Sequence, residues 1–536
     1  MKYFAFFFAR ASGPIFATVR LLVLYIPGMS KLFALLIPLL SLSALAQDSL
    51  VFINLGAGVN SAYDETNPLV SPDGKTIYFI RNDHPGNTLA PQRTQDIWYS
   101  RLDPEDSVWS EAIHMDFPFN QTQYNAIYSI SPSGQTLLIK GAYKNGRYKS
   151  RGLSLTHKRQ GKWTLPEMIH VEDFDKMSQG MYEGAFLCGD GKTLLLYMSE
   201  SPSAAPDLYV SFQKDNKSWT RPRGLGKDIN TPYLEGSPFL AADGKTLFFS
   251  STRPGGLGDA DIYRSIRLDD TWTRWSKPEN LGEPVNSDKR ETYYSLSATG
   301  DYGYMVVRPG QYGKSDIVKI QLQESLRPEP VAFLSGKVLN ANTGEPLEAS
   351  IRIEELSSGQ TLGLTESDPE NGHYKLVLPP GRHYGLNASA KGFYTISQNI
   401  DLSSHHAYME ISRDLLLVPM LKGQTIRLNN IFFESGSARL TENSNAELNH
   451  LTEILVQNPR LKIEIAGHTD HIGDDASNTA LSEARARAVE SYLVSRGISS
   501  KRVSSRGYGE TKFIDTNDTE EGRRNNRRVE FTILDF

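Results

Sequence analysis

Asp470 and Arg485 are the two residues whose types and spacing most suggest binding chemistry. Asp470 closes an apolar run, LKIEIAGHTD, and Arg485 follows fifteen residues later inside a helical pattern. On a wheel of about 100° per residue with Leu481 at zero, Ala484, Ala488, Tyr492, Val489 and Leu493 trace one apolar arc. Arg485 falls inside that arc at about 40°, whereas Arg487 falls at about 240° on the polar side. A guanidinium on an inward face must find a carboxylate or a ligand, because an unpaired buried charge costs several kcal/mol. Asp470 is the carboxylate best placed to lie near it. A closed Asp470–Arg485 ion pair, with no ligand at all, is the competing expectation.

Other reactive side chains read as structural. Cys188 is the only cysteine, which excludes an intramolecular disulfide and a multi-cysteine metal site. It lies in an apolar strand pattern and reads as a small buried hydrophobe. His405-His406 stands alone and reads as a solvated loop. His468 has no nucleophile beside it. The G-x-S-x-G elbow of a serine hydrolase is absent. Asp96, Asp207, Asp261 and Asp316 recur at matching positions and invite a reading as a ring of ligands. Local capping of backbone donors explains them better. Arg523, Arg524, Arg527 and Arg528 crowd six positions, and the first two read as solvated surface. The net charge of -5 gives no footprint for nucleic acid. No catalytic set, metal site or cofactor site emerges.

The elements that position these residues fall into distinct stretches. The 536 residues suggest three or four domains, and the abundance of aromatics, Gly and Pro points to strands and tight turns. Residues 1–46 are strongly apolar. From Met29 they have a signal-peptide layout: Lys31, the run LFALLIPLLSLSALA, and Ala44-Leu45-Ala46 ahead of cleavage before Gln47. Residues 1–28 then read as an upstream start artefact. No cysteine sits at the cleavage point to carry a lipid.

Five repeats follow. Each has an apolar–turn–apolar core, as in NPLVSPDGKTIYFI and SPFLAADGKTLFFSS. Their turn glycines are Gly74, Gly134, Gly191, Gly244 and Gly300. Asp-Gly between alternating apolar runs is a hairpin signal, since Gly accepts positive φ without strain. A D-[IL]-[WYV] triplet and a tryptophan (Trp109, Trp163, Trp219, Trp272) recur after the hairpins. The stretch LG-x-x-[VI]-N closes repeats at 225–230 and 281–286, and also opens the mature chain at 55–60. The N-terminal strand is therefore expected to complete the last repeat and close a ring. The tryptophans read as packing between repeats. Residues 331–418 show short strands with turns every eight to twelve residues, a β-sandwich pattern. From residue 422 strands and helices alternate. TIRLNNIFFES reads as a strand, Thr441 as a helix cap, and a second helix as running from about Asn478 to Gly497.

These stretches resemble known families. The five repeats resemble the PD40, or WD40-like and TolB-like, propeller repeats over residues 50–325. SGKVLNANTGEPLEASI, NGHYKLVLPPG and KGF resemble a carboxypeptidase-regulatory-like domain over 331–420. GHTDHIGDDASNTALSEARARAVESYLVSRGI, RVSSRGYGE and GRRNNRRVEF resemble the OmpA-like peptidoglycan-binding domain over 422–536. That last resemblance implies that Asp470 and Arg485 grip the diaminopimelate of the peptidoglycan stem peptide. An ammonium and a carboxylate on one side-chain end suit a fixed anion and a fixed guanidinium. Gly467, Thr469, Asn478 and Ser482 are expected to add neutral hydrogen bonds, and Arg528 to contact the ligand or a nearby carboxylate.

The domain order is similar to a periplasmic component associated with type IX secretion in Bacteroidetes-type bacteria. The expected architecture is an all-β propeller of five blades, a small β-sandwich and an α/β OmpA-like sandwich. The expected protein is non-enzymatic and periplasmic, peripheral to the outer membrane and associated with the cell wall. It binds peptidoglycan and presents its propeller to an envelope protein or a glycan. The alternatives are an envelope scaffold or secretion component that no longer binds peptidoglycan, and a propeller that processes glycan or peptide.

Overall fold

The computed structural model describes residues 52–535 apart from 91–92, 160, 215–216, 395 and 405–406. The leader with its cleavage site, and His405-His406, lie outside the described residues. The described chain is mostly small β-sheets with few helices.

Five antiparallel sheets come first. The first sheet runs in order Asp64–Val70, Thr76–Asn82, Gln95–Arg101 and Ile113–His114. The fourth repeats it with Glu235–Leu240, Thr246–Ser251, Asp261–Ile266 and Glu279–Asn280. The fifth takes its outer strand from the other end of this region: Ile53 pairs with Lys319 and Asn54 with Val318. The hairpin glycines at 74, 134, 191, 244 and 300 all sit at φ between 68 and 72°, where a side chain strains the backbone.

The closing asparagine of LG-x-x-[VI]-N has a defined task. Asn286 Oδ1 accepts from Ile262 N at 2.7 Å while Nδ2 donates to Ile262 O at 2.9 Å. Asn60 does the same to Ile317, Asn230 to Leu208 and Asn120 to Ile97. One side-chain amide thus satisfies the backbone N–H and adds a second donor to the C=O, which also accepts from Leu281, Leu55, Leu225 or Met115 N of the adjoining segment.

Neighbouring sheets are joined by further backbone bonds. Asn125 N donates to Gln95 O at 2.9 Å, Glu235 N to Pro206 O at 2.9 Å, Glu291 N to Ala260 O at 2.7 Å, and Glu65 N to Ser315 O at 3.4 Å. Between the second and third sheets Arg151 instead pairs with Glu183 at 2.7 Å. Asn67, Tyr128, Phe186, Ser237 and Tyr293, one from each repeat, line a common cavity.

The recurring aspartates mostly cap loops. Asp96 accepts from Thr88 N, Asp261 from Leu257 N and Gly258 N, and Asp316 from Gln311 N and Tyr312 N. Asp207 differs: burial, with Glu235 and Glu200 nearby, pushes its carboxyl up to about 6. Trp109, Trp219 and Trp272 are buried, whereas Trp163 is half-buried. Cys188 is buried, and burial raises its thiol pKa.

Two four-stranded sheets follow. One holds Ala332–Asn340 with His373–Leu378, Met409–Ser412 and Leu415–Leu417, and the other is ordered Thr361–Glu366, Ser350–Glu355, His383–Ser389, Ile396–Asp401. Leu334, Ile351, Tyr374, Leu386 and Leu415 fill the space between them. Lys375 pairs with Asp73 at 2.6 Å and Lys245 with Glu329 at 2.8 Å, tying this unit to the hairpin turns of the first.

The C-terminal region is one four-stranded sheet, ordered Thr425–Leu428, Val529–Asp535, Lys462–Gly467, Val503–Gly507. Helices Asn445–Gln457, Asp475–Ser495 and Glu520–Asn526 accompany it. Leu448, Leu451, Leu455, Ile463, Val489, Leu493 and Phe531 form its core.

Four expectations need correction here. The strand in TIRLNNIFFES ends at Leu428, because Asn429 and Asn430 turn their amides onto Ser397 of the preceding unit. Thr441 makes no capping bond; a 3-10 turn, Glu442–Ser444, leads into the helix, and Ser444 Oγ both accepts from and donates to Phe432. The long helix starts three residues earlier, where Asp474 caps it by accepting from Ser477 N at 2.9 Å. Its buried stripe is Asn478, Ser482, Ala486, Val489 and Leu493, while Ala484 is exposed. Small residues face inward because Gly467 and Gly507 bring strand backbone against the helix; a Cβ on Gly467 falls 2.2 Å from Ser482 O. Arg485 consequently sits on the border of the buried stripe instead of its centre.

Candidate functional site

The strand Lys462–Gly467 and the long helix meet where the strand ends. The three residues after Gly467 are all buried: His468, Thr469 and Asp470. His468 stacks on Tyr508 with ring centroids 5.4 Å apart, and its Nε2 lies 3.0 Å from Glu530 Oε1. Burial acts to raise the Glu530 carboxyl, but hydrogen bonds from His468 and Arg528 hold it down at about 2. His468 is thus held inside the fold by Tyr508 and Glu530.

Asp470 is only 5% exposed. Its Oδ1 accepts from Ile472 N at 3.0 Å. Its Oδ2 accepts from Arg527 Nη1 at 2.6 Å. Arg527 also reaches Glu520 Oε1 at 2.8 Å, and these two carboxylates raise its pKa. The closed Asp470–Arg485 bridge is therefore not what the fold contains: Arg527 takes that place.

Arg485 is held differently. Its Nε donates to Ser437 O at 3.0 Å, and its guanidinium carbon lies 5.1 Å from the centre of the Phe433 ring. Among the described residues no carboxylate lies within 4 Å of it. Burial, with Arg527 beside it, lowers its pKa, and Asp470 offsets part of that. Two guanidiniums thus flank one buried carboxylate, and only one of them bonds to it. The Nη atoms of Arg485 meet no hydrogen-bond acceptor among the described residues. The buried Oγ1 of Thr469 likewise has no hydrogen-bond partner among the described residues.

The remaining sequence candidates take supporting positions. Asn478 Nδ2 donates to Glu510 Oε2 at 2.7 Å and approaches Asp470 O at 3.5 Å. Ser482 Oγ donates to Thr479 O and accepts from Gly509 N, so both its functions are used inside the fold. Gly467 is a close-contact position. Arg528 points away from Asp470: it pairs with Glu530 at 3.0 Å and donates to Lys512 O. The structure thus brings Thr469, Asp470, Asn478 and Arg485 together, with Arg527 in place of Arg528. Arg527 and Arg528 sit between the helix Glu520–Asn526 and the strand Val529–Asp535, so no helical or strand period in the sequence tells which of the two reaches Asp470. Phe433 and Ser437, which shape the Arg485 position, come from a loop whose sequence reads as strand.

The comparisons bear on this region. Residues 432–527 match the family model described as OmpA family, so the chain carries an OmpA-family C-terminal domain. The "Outer membrane porin F" of Pseudomonas aeruginosa is 41% identical over 105 residues, 19% of this chain and 30% of that protein. The "Peptidoglycan-binding protein ArfA" of Mycobacterium tuberculosis is 36% identical over 103 residues, 19% of this chain and 32% of that protein. The chain spans about a third of the length of these curated relatives. Among solved structures, the peptidoglycan-associated lipoprotein from Burkholderia pseudomallei is 25% identical, with 20% of this chain and 89% of that chain covered at a TM-score of 0.18. Among the described residues no helix is long and apolar enough to cross a membrane, and no group of three or more His, Cys, Asp or Glu residues is placed to hold a metal.

Proposed function

We propose that this is a non-enzymatic envelope protein that holds peptidoglycan non-covalently through its OmpA-family domain. The observation that carries the reading is the Arg485 guanidinium, half-buried over Phe433 beside a buried carboxylate that it does not bond. A ligand carboxylate can take both Nη atoms of Arg485 in a bidentate contact. The ligand's ammonium can share Asp470 with Arg527, which keeps Glu520 as a second partner. Thr469 Oγ1 lies at hand for a neutral hydrogen bond. The meso-diaminopimelate of a stem peptide offers that ammonium and carboxylate together.

Relatives named for outer-membrane and peptidoglycan association support the same setting, at the periplasmic side of the outer membrane. The alternative of a scaffold without wall binding rests on Asp470 closing onto Arg485, and the Arg527 pair weighs against it.

The five sheets are best read as the blades of a propeller, followed by a β-sandwich spacer. The Ile53–Asn54 strand on the last sheet and the backbone bonds between successive sheets support that reading. The propeller is presented to an envelope protein or glycan. A place in a secretion assembly is a question of which proteins it captures.

Retention on purified peptidoglycan tests the main reading. The wild-type chain is expected to co-sediment, and the Asp470→Ala, Arg485→Ala double variant to lose at least about a hundredfold in affinity. Unchanged retention of a folded double variant refutes it.

A further inference from the structure

Trp109, Trp163, Trp219 and Trp275 occupy matching positions across from Leu102, Lys158, Gln213 and Arg267, so Trp275 and not Trp272 is the repeat tryptophan of the fourth sheet. Trp109 bridges across to Leu102 and Trp219 to Gln213, and both are buried. Trp163 pairs across to Lys158, in a short strand Lys162–Trp163 that adds a fifth strand to the second sheet. It is half-buried, one side packed on the core of the first two sheets where it meets Phe119 edge-on at 6.0 Å. Beside it lies a cleft of about 740 Å³ between the first two sheets, within the range of binding pockets.

The cleft combines flat rings with cations. Tyr99, Phe117 and Trp163 border it, and Phe117 is 68% exposed. Arg101, Lys158 and Lys162 border it too, with Arg101 placed 5.4 Å over the Tyr99 ring. Among the described residues no carboxylate lies within 4 Å of these three cations. Of the acids of the cleft, Asp73 is engaged by Lys375 at 2.6 Å, and Asp116, 93% exposed, lies 3.2 Å from His114 Nδ1. The cleft thus offers uncommitted positive charge next to aromatic faces.

We propose that this cleft binds an acidic glycan, with sugar rings stacked on Trp163 and Phe117 and sugar carboxylates met by Arg101, Lys158 and Lys162. This deepens the reading of the five-sheet region as a partner-presenting unit and rests on it. A pyranose has an apolar C–H face that matches a flat aromatic ring, and its carboxylate matches a cation beside that ring. An acidic peptide is the weaker fit. Peptides commonly add to a long open strand, and the outer strands here, Ile113–His114 and Glu167–Met168, have two residues each.

Isothermal titration of the full chain with three probes tests this: alginate oligosaccharides, dextran oligosaccharides and oligoglutamate. Alginate is expected to bind at least tenfold more tightly than either of the others. Trp163→Ala, and separately Lys158→Ala with Lys162→Ala, are expected to weaken it at least tenfold, the lysine pair guarding against misfolding of the tryptophan variant. Asp470→Ala with Arg485→Ala is expected to leave it unchanged, which separates this cleft from the wall-binding site. No binding of alginate, equal binding of dextran, or tighter binding of oligoglutamate overturns the proposal. If alginate fails while the five-sheet region still captures envelope partners, only the cleft assignment falls.

Discussion

The five-sheet region and the C-terminal domain both bury charge, and Glu235 in one and Arg485 in the other show two ways of holding it. In the first, Glu235 is fully buried and saturated: Thr231 and Ser251 donate to it and Arg253 lies 3.5 Å away. Glu65 with Ser61 and Arg81, and Glu291 with Ser287, repeat the arrangement. In the second, Arg485 occurs once and lacks a carboxylate. A charged group repeated at matching positions with its partners supplied is part of how the repeats are built. A single one left short of a partner is available to something outside the chain.

Breaking the saturated side should unfold without affecting wall binding. Glu235→Ala leaves Arg253 and the hydroxyls of Thr231 and Ser251 without their acceptor. It should cost about 3–5 kcal/mol, read as an earlier urea transition of the five-sheet region. Peptidoglycan retention of the folded fraction should not change. Asn286→Ala should cost less, about 1–3 kcal/mol, because it strands the N–H of Ile262, whose C=O keeps its bond from Leu281 N, and removes no charge. If either variant instead weakens wall binding at unchanged stability, the division between the two regions is wrong.

A subtler test lies at the edge of the C-terminal domain. Burial pushes the Glu447 carboxyl up to about 7, with Glu354 adding to the rise and hydrogen bonds from Ser397 and Asn430 opposing it. A raised folded pKa means the folded state holds the proton more tightly. The stability Glu447 supports is therefore full below its ordinary value of 4.5, declines as pH rises to about 7, and is level above. Glu447→Gln keeps the neutral shape and should remove that decline. Hydrogen exchange of Asn445–Gln457 in the two proteins should diverge between pH 5 and 7 and run parallel at higher pH. Parallel behaviour across the whole range contradicts the assignment.

Much of this contrast is legible in the sequence. The turn glycines place all five hairpins, three of them as Asp-Gly, because positive φ at the turn selects glycine. The opening INLGAGVN places the N-terminal strand on the last sheet, because its asparagine has the same latch to make as Asn286. The buried carboxylates were also within reach: Ser61 and Glu65, Thr231 and Glu235, and Ser287 and Glu291 share a spacing of four. The partner of Asp470 was not, since Arg485 and Arg527 are equally basic and only the path of the 431–440 loop turns Arg485 onto Phe433. The helix wheel also misjudged the buried stripe. Hydrophobicity favours Leu481 and Ala484, but the glycine ends of two strands select Ser482 and Ala486 for close approach. Trp163 shares its position with Trp109 and Trp219, and only its neighbour across the strand, Lys158, hints at its exposure.

The central claim is that Arg485 is held open to read a carboxylate. Titrating a soluble stem peptide ending in meso-diaminopimelate into the wild-type chain and Arg485→Lys tests it most directly. Lysine keeps the charge but cannot make the bidentate contact. The account predicts at least a tenfold loss of affinity with an unchanged melting temperature. Equal affinity of the two proteins contradicts it.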